Sequence, residues 1–190
     1  MKLVDTSPAE PYEDLPTDGA HFNRRCRATG ADFTEVALEF LEAAGATVEQ
    51  RGGMVAEVQV GAIVRAADAT RYVVLAHGTL DPGAQAGLKR SDTLKKAGWD
   101  AIMLARHSTL ATLIVTSHLP TRGRCATHLS RLGADVVDVV ATEGDLAGFQ
   151  RLQALFGTAP HQRLAAAPPA WRTPNDQLQL FGADEGDQRA

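Results

Sequence analysis

Near one end of this 190-residue chain, Gln177-Leu178-Gln179-Leu180-Phe181 places three large apolar side chains where no core is available to them. The preceding run, Ala165-Ala166-Ala167-Pro168-Pro169-Ala170-Trp171-Arg172-Thr173-Pro174, and the following Gly182-Ala183-Asp184-Glu185-Gly186-Asp187 have no apolar period. Leu and Phe presented in such a segment have the chemistry of a docking peptide, because they can fill pockets on a partner. Other residues carry reactive side chains with weaker spacing. Cys125 and His128 stand three apart, His107 and His118 bracket an apolar run, and His77 closes another. Lys89, Arg90, Lys95 and Lys96 gather positive charge that can meet DNA phosphates, as do Arg122 and Arg124; a solvated helix face is the competing reading. The glycines between Gly83 and Gly87 lack the Gly-x-Gly-x-x-Gly spacing of a dinucleotide loop.

The elements that must position these residues are legible in the periodicity. Phe33, Val36, Ala37, Phe40, Leu41 and Ala44 form one helical stripe; Asp32 and Glu35 suit its start, and Gly45 suits its end. Val55, Val58, Val60, Ala62 and Val64 read as one strand and Tyr72 to Ala76 as a second, joined at Ala67-Asp68-Ala69-Thr70. Ser91 is expected to cap a helix over 92–105. Leu110 to Ser117, apolar on both faces, suits a buried central strand. A helix over 122–132, a strand over 136–141 and a helix over 145–156 complete the order. The expected fold class is α/β, a mixed central sheet flanked by helices.

Helix, strand hairpin, helix, strand is also the αβββαβ core order of the PD-(D/E)XK nucleases, the restriction-endonuclease-like fold, which the chain resembles over residues 30–141. Gly30-Ala31-Asp32-Phe33-Thr34-Glu35 is similar to the opening of their first helix. Gly87-Leu88-Lys89-Arg90-Ser91-Asp92-Thr93-Leu94-Lys95-Lys96-Ala97 is similar to a later loop and helix. The resemblance implies an Asp on one hairpin strand and Glu-x-Lys on the next, holding Mg²⁺ through oxygen ligands. The matching positions here are Gly61, Leu75 and His77, so the catalytic set is vacated and no metal or other cofactor is expected. If instead Glu35, Asp68, Asp81, Asp92 or His77 restore ligands, the alternative is an active Mg²⁺-dependent DNA endonuclease. The run Gln177-Leu178-Gln179-Leu180-Phe181 in turn resembles the pentapeptide Gln-Leu-x-Leu-Phe by which bacterial replication and repair proteins dock on the DNA sliding clamp. Gln177, Leu178, Leu180 and Phe181 match all its defining positions, which implies the clamp as partner.

Bulk properties set the frame. A length of 190 and 44% hydrophobic residues allow one domain, expected at 22–157, with a flexible arm at 1–21 and a disordered tail at 158–190. The net charge of −4 offers no global basic field, although Lys and Arg are denser in the middle. Cys26 and Cys125 have no disulfide or zinc spacing. No apolar run reaches the ~20 residues of a membrane span and no leader is evident at Met1-Lys2-Leu3, so a soluble cytoplasmic protein is expected. A clamp-recruited pseudonuclease of bacterial or phage origin, serving DNA replication or repair, is the leading reading. An oligomeric scaffold with an incidental tail is the reading from another class.

Overall fold

A computed structural model describes residues 32–80 and 87–157. The expected arm at 1–21, the first ten residues of the expected domain (22–31) and the expected tail at 158–190 lie outside the described residues.

Helix α1 (Phe33–Ala43) begins where Asp32 accepts a hydrogen bond on Oδ1 from the Glu35 amide at 3.0 Å. This satisfies one of the amides that a helix start leaves unpaired. The helix ends at Gly45, whose φ of +100° lets the chain reverse and Ala46 N–H donate to the Leu41 carbonyl at 3.0 Å. Strand β1 (Thr47–Arg51) follows, then a short ribbon of β2 (Met54–Val55) and β3 (Val58–Gln59), then β4 (Ala62–Arg65) and β5 (Arg71–His77).

The apolar run 55–64, expected as one strand, is broken twice. Ala56 and Glu57 take φ of 48° and 65° and turn the chain between Val55 and Val58. Gly61 then separates β3 from β4. The three-residue step from Val55 to Val58 departs from period two and falls at this turn, but neither Ala nor Glu is a usual turn residue.

A short 3₁₀ turn (Gly87–Lys89) leads into α2 (Ser91–His107), followed by β6 (Ala111–Thr116) and α3 (Gly123–Ser130). A second 3₁₀ segment (Arg131–Ala134), β7 (Asp138–Ala141) and α4 (Leu146–Phe156) complete the order. Ser91 is the first helical residue of α2 rather than its cap; Arg90 holds the cap position and makes no capping bond. None of these helices is long and apolar enough to cross a membrane.

The five-stranded sheet runs β1-β4-β5-β6-β7. β1, β4 and β5 pair antiparallel, whereas β5, β6 and β7 are parallel. The fold is therefore α/β, a mixed sheet flanked by helices on both faces. Along β5 the faces alternate. Tyr72 and Val74 join Phe33, Phe40, Phe149 and Phe156 under α1 and α4, while Val73 and Leu75 join Leu94, Ala97, Ala101 and Leu129 under α2 and α3. Phe40 meets Phe149 at 5.1 Å between ring centroids, and Tyr72 meets Phe156 edge-on at 5.7 Å. Every described Phe and Tyr lies on the α1/α4 side, so few aromatics suffice for that core.

Candidate functional site

The two parallel crossovers place α2 and α3 on one face of the sheet and bring the carboxyl ends of β5, β6 and β7 together at one rim. In open α/β sheets this rim is where ligands meet the fold.

One hydroxyl organises it. Thr116 Oγ1, fully buried at the end of β6, donates to the His77 carbonyl at 2.7 Å and accepts from the Leu88 amide at 3.1 Å. Leu88 N–H also reaches the His118 carbonyl at 3.2 Å, and Thr142 N–H donates to the Thr116 carbonyl at 2.8 Å. Gly87 is required here. Its φ is +59°, and a Cβ would strike Thr116 Oγ1, the His118 amide and Ser117 Oγ. The ends of three strands are thus tied to the turn that opens α2, which sets the basic start of that helix over the rim.

His77 follows Leu75 on the α2 face. Its Nε2 is buried without a hydrogen-bond partner among the described residues. Burial, with Lys96 nearby as a second cause, pushes its pKa from the ordinary 6.5 down to about 4; Asp100 acts weakly the other way. His77 is therefore neutral at physiological pH and cannot serve as a phosphate counter-ion.

A stability consequence follows from linkage. Above the unfolded value of 6.5 both states are neutral and His77 contributes nothing to pH dependence. As pH falls below 6.5 the unfolded chain binds a proton that the folded chain refuses until about 4, so folding free energy is lost across that window. Between about pH 7 and about pH 5 this group should cost roughly 2 kcal/mol. Denaturant titrations of the wild type and His77→Gln at those two pH values should differ by that amount. Equal pH dependence of the two would refute the assignment.

Two residues beyond β6, His118 Nε2 lies 2.9 Å from Glu143 Oε2, both half-buried, and His118 Nδ1 has no hydrogen-bond partner among the described residues. A carboxylate orienting an imidazole is half of a general-base arrangement. The hydroxyl next in the chain, Ser117 Oγ, is wholly buried and accepts from Thr79 N–H at 3.4 Å, so it is not presented to a substrate. Sequence spacing did not reveal the His118–Glu143 pair, because 25 residues and a whole helix separate its members and only parallel pairing of β6 with β7 aligns them.

Gly61 and Leu75, the positions expected to have lost carboxylates, do not share one face. A Cβ on Gly61 would lie 3.2 Å from Ala76 Cβ and 3.3 Å from Thr34 Cγ2, on the α1 side, whereas Leu75 is buried under α2. The β5 residues facing the same way as Gly61 are Val74 and Ala76, a register one residue away from the motif alignment. Neither register supplies a carboxylate, and the tight space at Gly61 admits a side chain only if its neighbours yield. Of the rescue candidates, Glu35 is exposed on α1, Asp68 caps its own turn through Thr70, and Asp92 is held by Arg90. Hydrogen bonding from Arg90 draws the Asp92 carboxyl below the usual range. Asp81 lies outside the described residues. Among the described residues, no three His, Cys, Asp or Glu side chains form a group able to hold a metal ion.

Arg90 is paired with Asp92 at 2.9 Å and Lys96 with Asp100 at 2.7 Å, leaving Lys89 and Lys95 without an ion pair among the described residues. Cys125 is half-buried with Sγ 3.5 Å from the Lys89 carbonyl, whereas His128 is exposed; the two do not act as a pair. His107 is exposed at the end of α2. Gln177, Leu178, Leu180 and Phe181 lie outside the described residues. Comparison with protein-family models, with curated proteins and with solved structures finds no match for this chain.

Proposed function

We propose that this chain is a DNA-associated accessory of bacterial or phage-directed replication and repair, brought to the sliding clamp by Gln177-Leu178-Gln179-Leu180-Phe181 and built on a restriction-endonuclease-like body that does not cleave. The observation that carries the reading is the pentapeptide itself, with all four defining residues in place. Nineteen residues lie between it and Gly157, a length of chain that can span at most about 70 Å, so docking need not involve the body. The order α1, β1, β4, β5, α2, β6 supports the nuclease-like body, being helix, three strands, helix, strand. The absence of carboxylates at Gly61, Val74, Leu75 and Ala76 supports the loss of cleavage, since Mg²⁺ requires oxygen ligands that these side chains lack.

The test has two arms. Immobilised bacterial clamp should capture the full-length protein, and free pentapeptide-containing peptide should compete it off. Incubation with supercoiled DNA and Mg²⁺ or Mn²⁺ should give no nicking. Nicking that vanishes on Glu35→Ala or Asp68→Ala would replace the inactive body with an active endonuclease. Failure of capture would remove the clamp from the reading.

A further inference from the structure

Charge on the body is divided between its two faces. From Gly87 to Asp135, the stretch containing α2, β6 and α3, there are eight Lys or Arg, three Asp and no Glu. From Asp32 to Gln50, spanning α1, there are one Asp, four Glu and no Lys or Arg. Two of the three Asp on the basic side are already engaged, by Arg90 and Lys96. Lys95, Arg106, Arg122, Arg124 and Arg131 are all exposed and have no ion pair among the described residues. The potential over the α2/α3 layer is therefore positive although the chain as a whole is acidic.

Trp99 sits within that layer. It is 64% exposed, and it is the one described aromatic residue outside the core. Lys95 lies four residues before it and Arg106 seven after it, so the three share one face of α2 over about 16 Å of helix. Its indole is open to solvent on a fold that buries every described Phe and Tyr ring, and it stands beside cations that have no ion pair among the described residues. A second copy of the chain does not suit this face, because a two-fold contact would bring together two surfaces carrying the same Lys95, Arg106, Arg122, Arg124 and Arg131 charges. A polyanion with exposed aromatic planes does suit it.

We propose that the outer face of α2, centred on Trp99 and flanked by Lys95 and Arg106, binds single-stranded nucleic acid by stacking a base on the indole while the cations meet adjacent phosphates. Duplex is disfavoured as the occupant because its bases are already stacked and offer no free face. The assignment rests on the DNA-associated reading for the class of polymer but is independent of the clamp peptide.

The test uses the full-length protein carrying Trp171→Phe, which leaves Trp99 as the sole indole of the two in the chain. Titration with an oligothymidylate of about 15 nucleotides should quench the Trp99 emission, and duplex of the same length should not. In the otherwise wild-type protein, Trp99→Ala should weaken single-strand binding roughly 5- to 150-fold. At so exposed a position it should leave the melting temperature unchanged. Lys95→Ala and Arg106→Ala should each lower the slope of log affinity against log salt by about 0.7. Absence of quenching, a Trp99→Ala affinity equal to wild type, or equal quenching by duplex would overturn the proposal. So would sedimentation showing a dimer that Trp99→Ala dissociates. Clamp capture of Trp99→Ala should remain at the wild-type level, which separates failure of this surface from failure of the docking peptide.

Discussion

Replacing Leu180 and Phe181 together with Ala should abolish capture by a bacterial sliding clamp and leave the melting temperature of the body where it was. Each of these side chains, moved from water into an apolar pocket, contributes roughly 1.5–3 kcal/mol. Their joint loss weakens binding by more than about 100-fold, since every 1.4 kcal/mol is a factor of ten. Gln177→Ala should cost less, because a hydrogen bond exchanged with water contributes only about 1 kcal/mol net. Leu178→Ala should fall between the two. The body is unaffected because its core closes without these residues: α4 buries Phe149, Leu152 and Phe156 against α1 and the sheet before the described chain ends at Gly157. The measurement is a clamp titration of wild type and double variant at matched salt, with thermal melts alongside. Wild-type affinity in the double variant would show that docking lies elsewhere and would end the clamp reading. A lowered melting temperature would show instead that the segment packs on the body.

Replacing Arg151 with Met lowers folding stability by about 3–5 kcal/mol, the penalty for leaving a buried charge without its partner. Arg151 on α4 donates from Nε to Asp138 Oδ2 at 2.8 Å and from Nη2 to Asp138 Oδ1 at 3.2 Å. Their side chains are only 13% and 9% exposed, so water cannot substitute well for the lost guanidinium. Asp138 Oδ1 also accepts from the Val139 amide at 2.7 Å, a neutral donor that does not replace the charge of the guanidinium. For a body of this size the loss corresponds to a fall of roughly 10–20 °C in Tm. By contrast, Arg65→Ala should cost under about 1 kcal/mol, because its bond to Glu49 lies at the surface and is screened. A double-mutant cycle with Asp138→Leu separates the pair from the packing of its methylenes: the double variant should recover much of the loss. Equal stability of Arg151→Met and wild type would show the pair to be dispensable.

Sequence by itself determined the elements with strong local signals. The stripe from Phe33 to Ala44, with Asp32 before it and Gly45 after it, marked α1 because helix periodicity and end signals are written in neighbouring residues. The doubly apolar Leu113-Ile114-Val115 marked β6 as a central strand, and it pairs on both edges, with β5 and β7.

Only the tertiary structure decided what depends on which residues meet. The break at Ala56-Glu57 left only an off-period step from Val55 to Val58 in the sequence, because it rests on backbone dihedrals that those residue types do not advertise. The face of β5 shared with Gly61 was hidden because alternating strands bury both sides, so composition cannot fix which of Leu75 or Ala76 turns toward α1. His118 with Glu143, Arg151 with Asp138, and Thr116 with Leu88 are partners from separate elements, joined by the parallel pairing of β5, β6 and β7. The degree of exposure of Trp99 was likewise set by packing: α2 buries Leu94, Ala97, Ala101 and Leu104 against the sheet and leaves Trp99, out of phase with them, facing water.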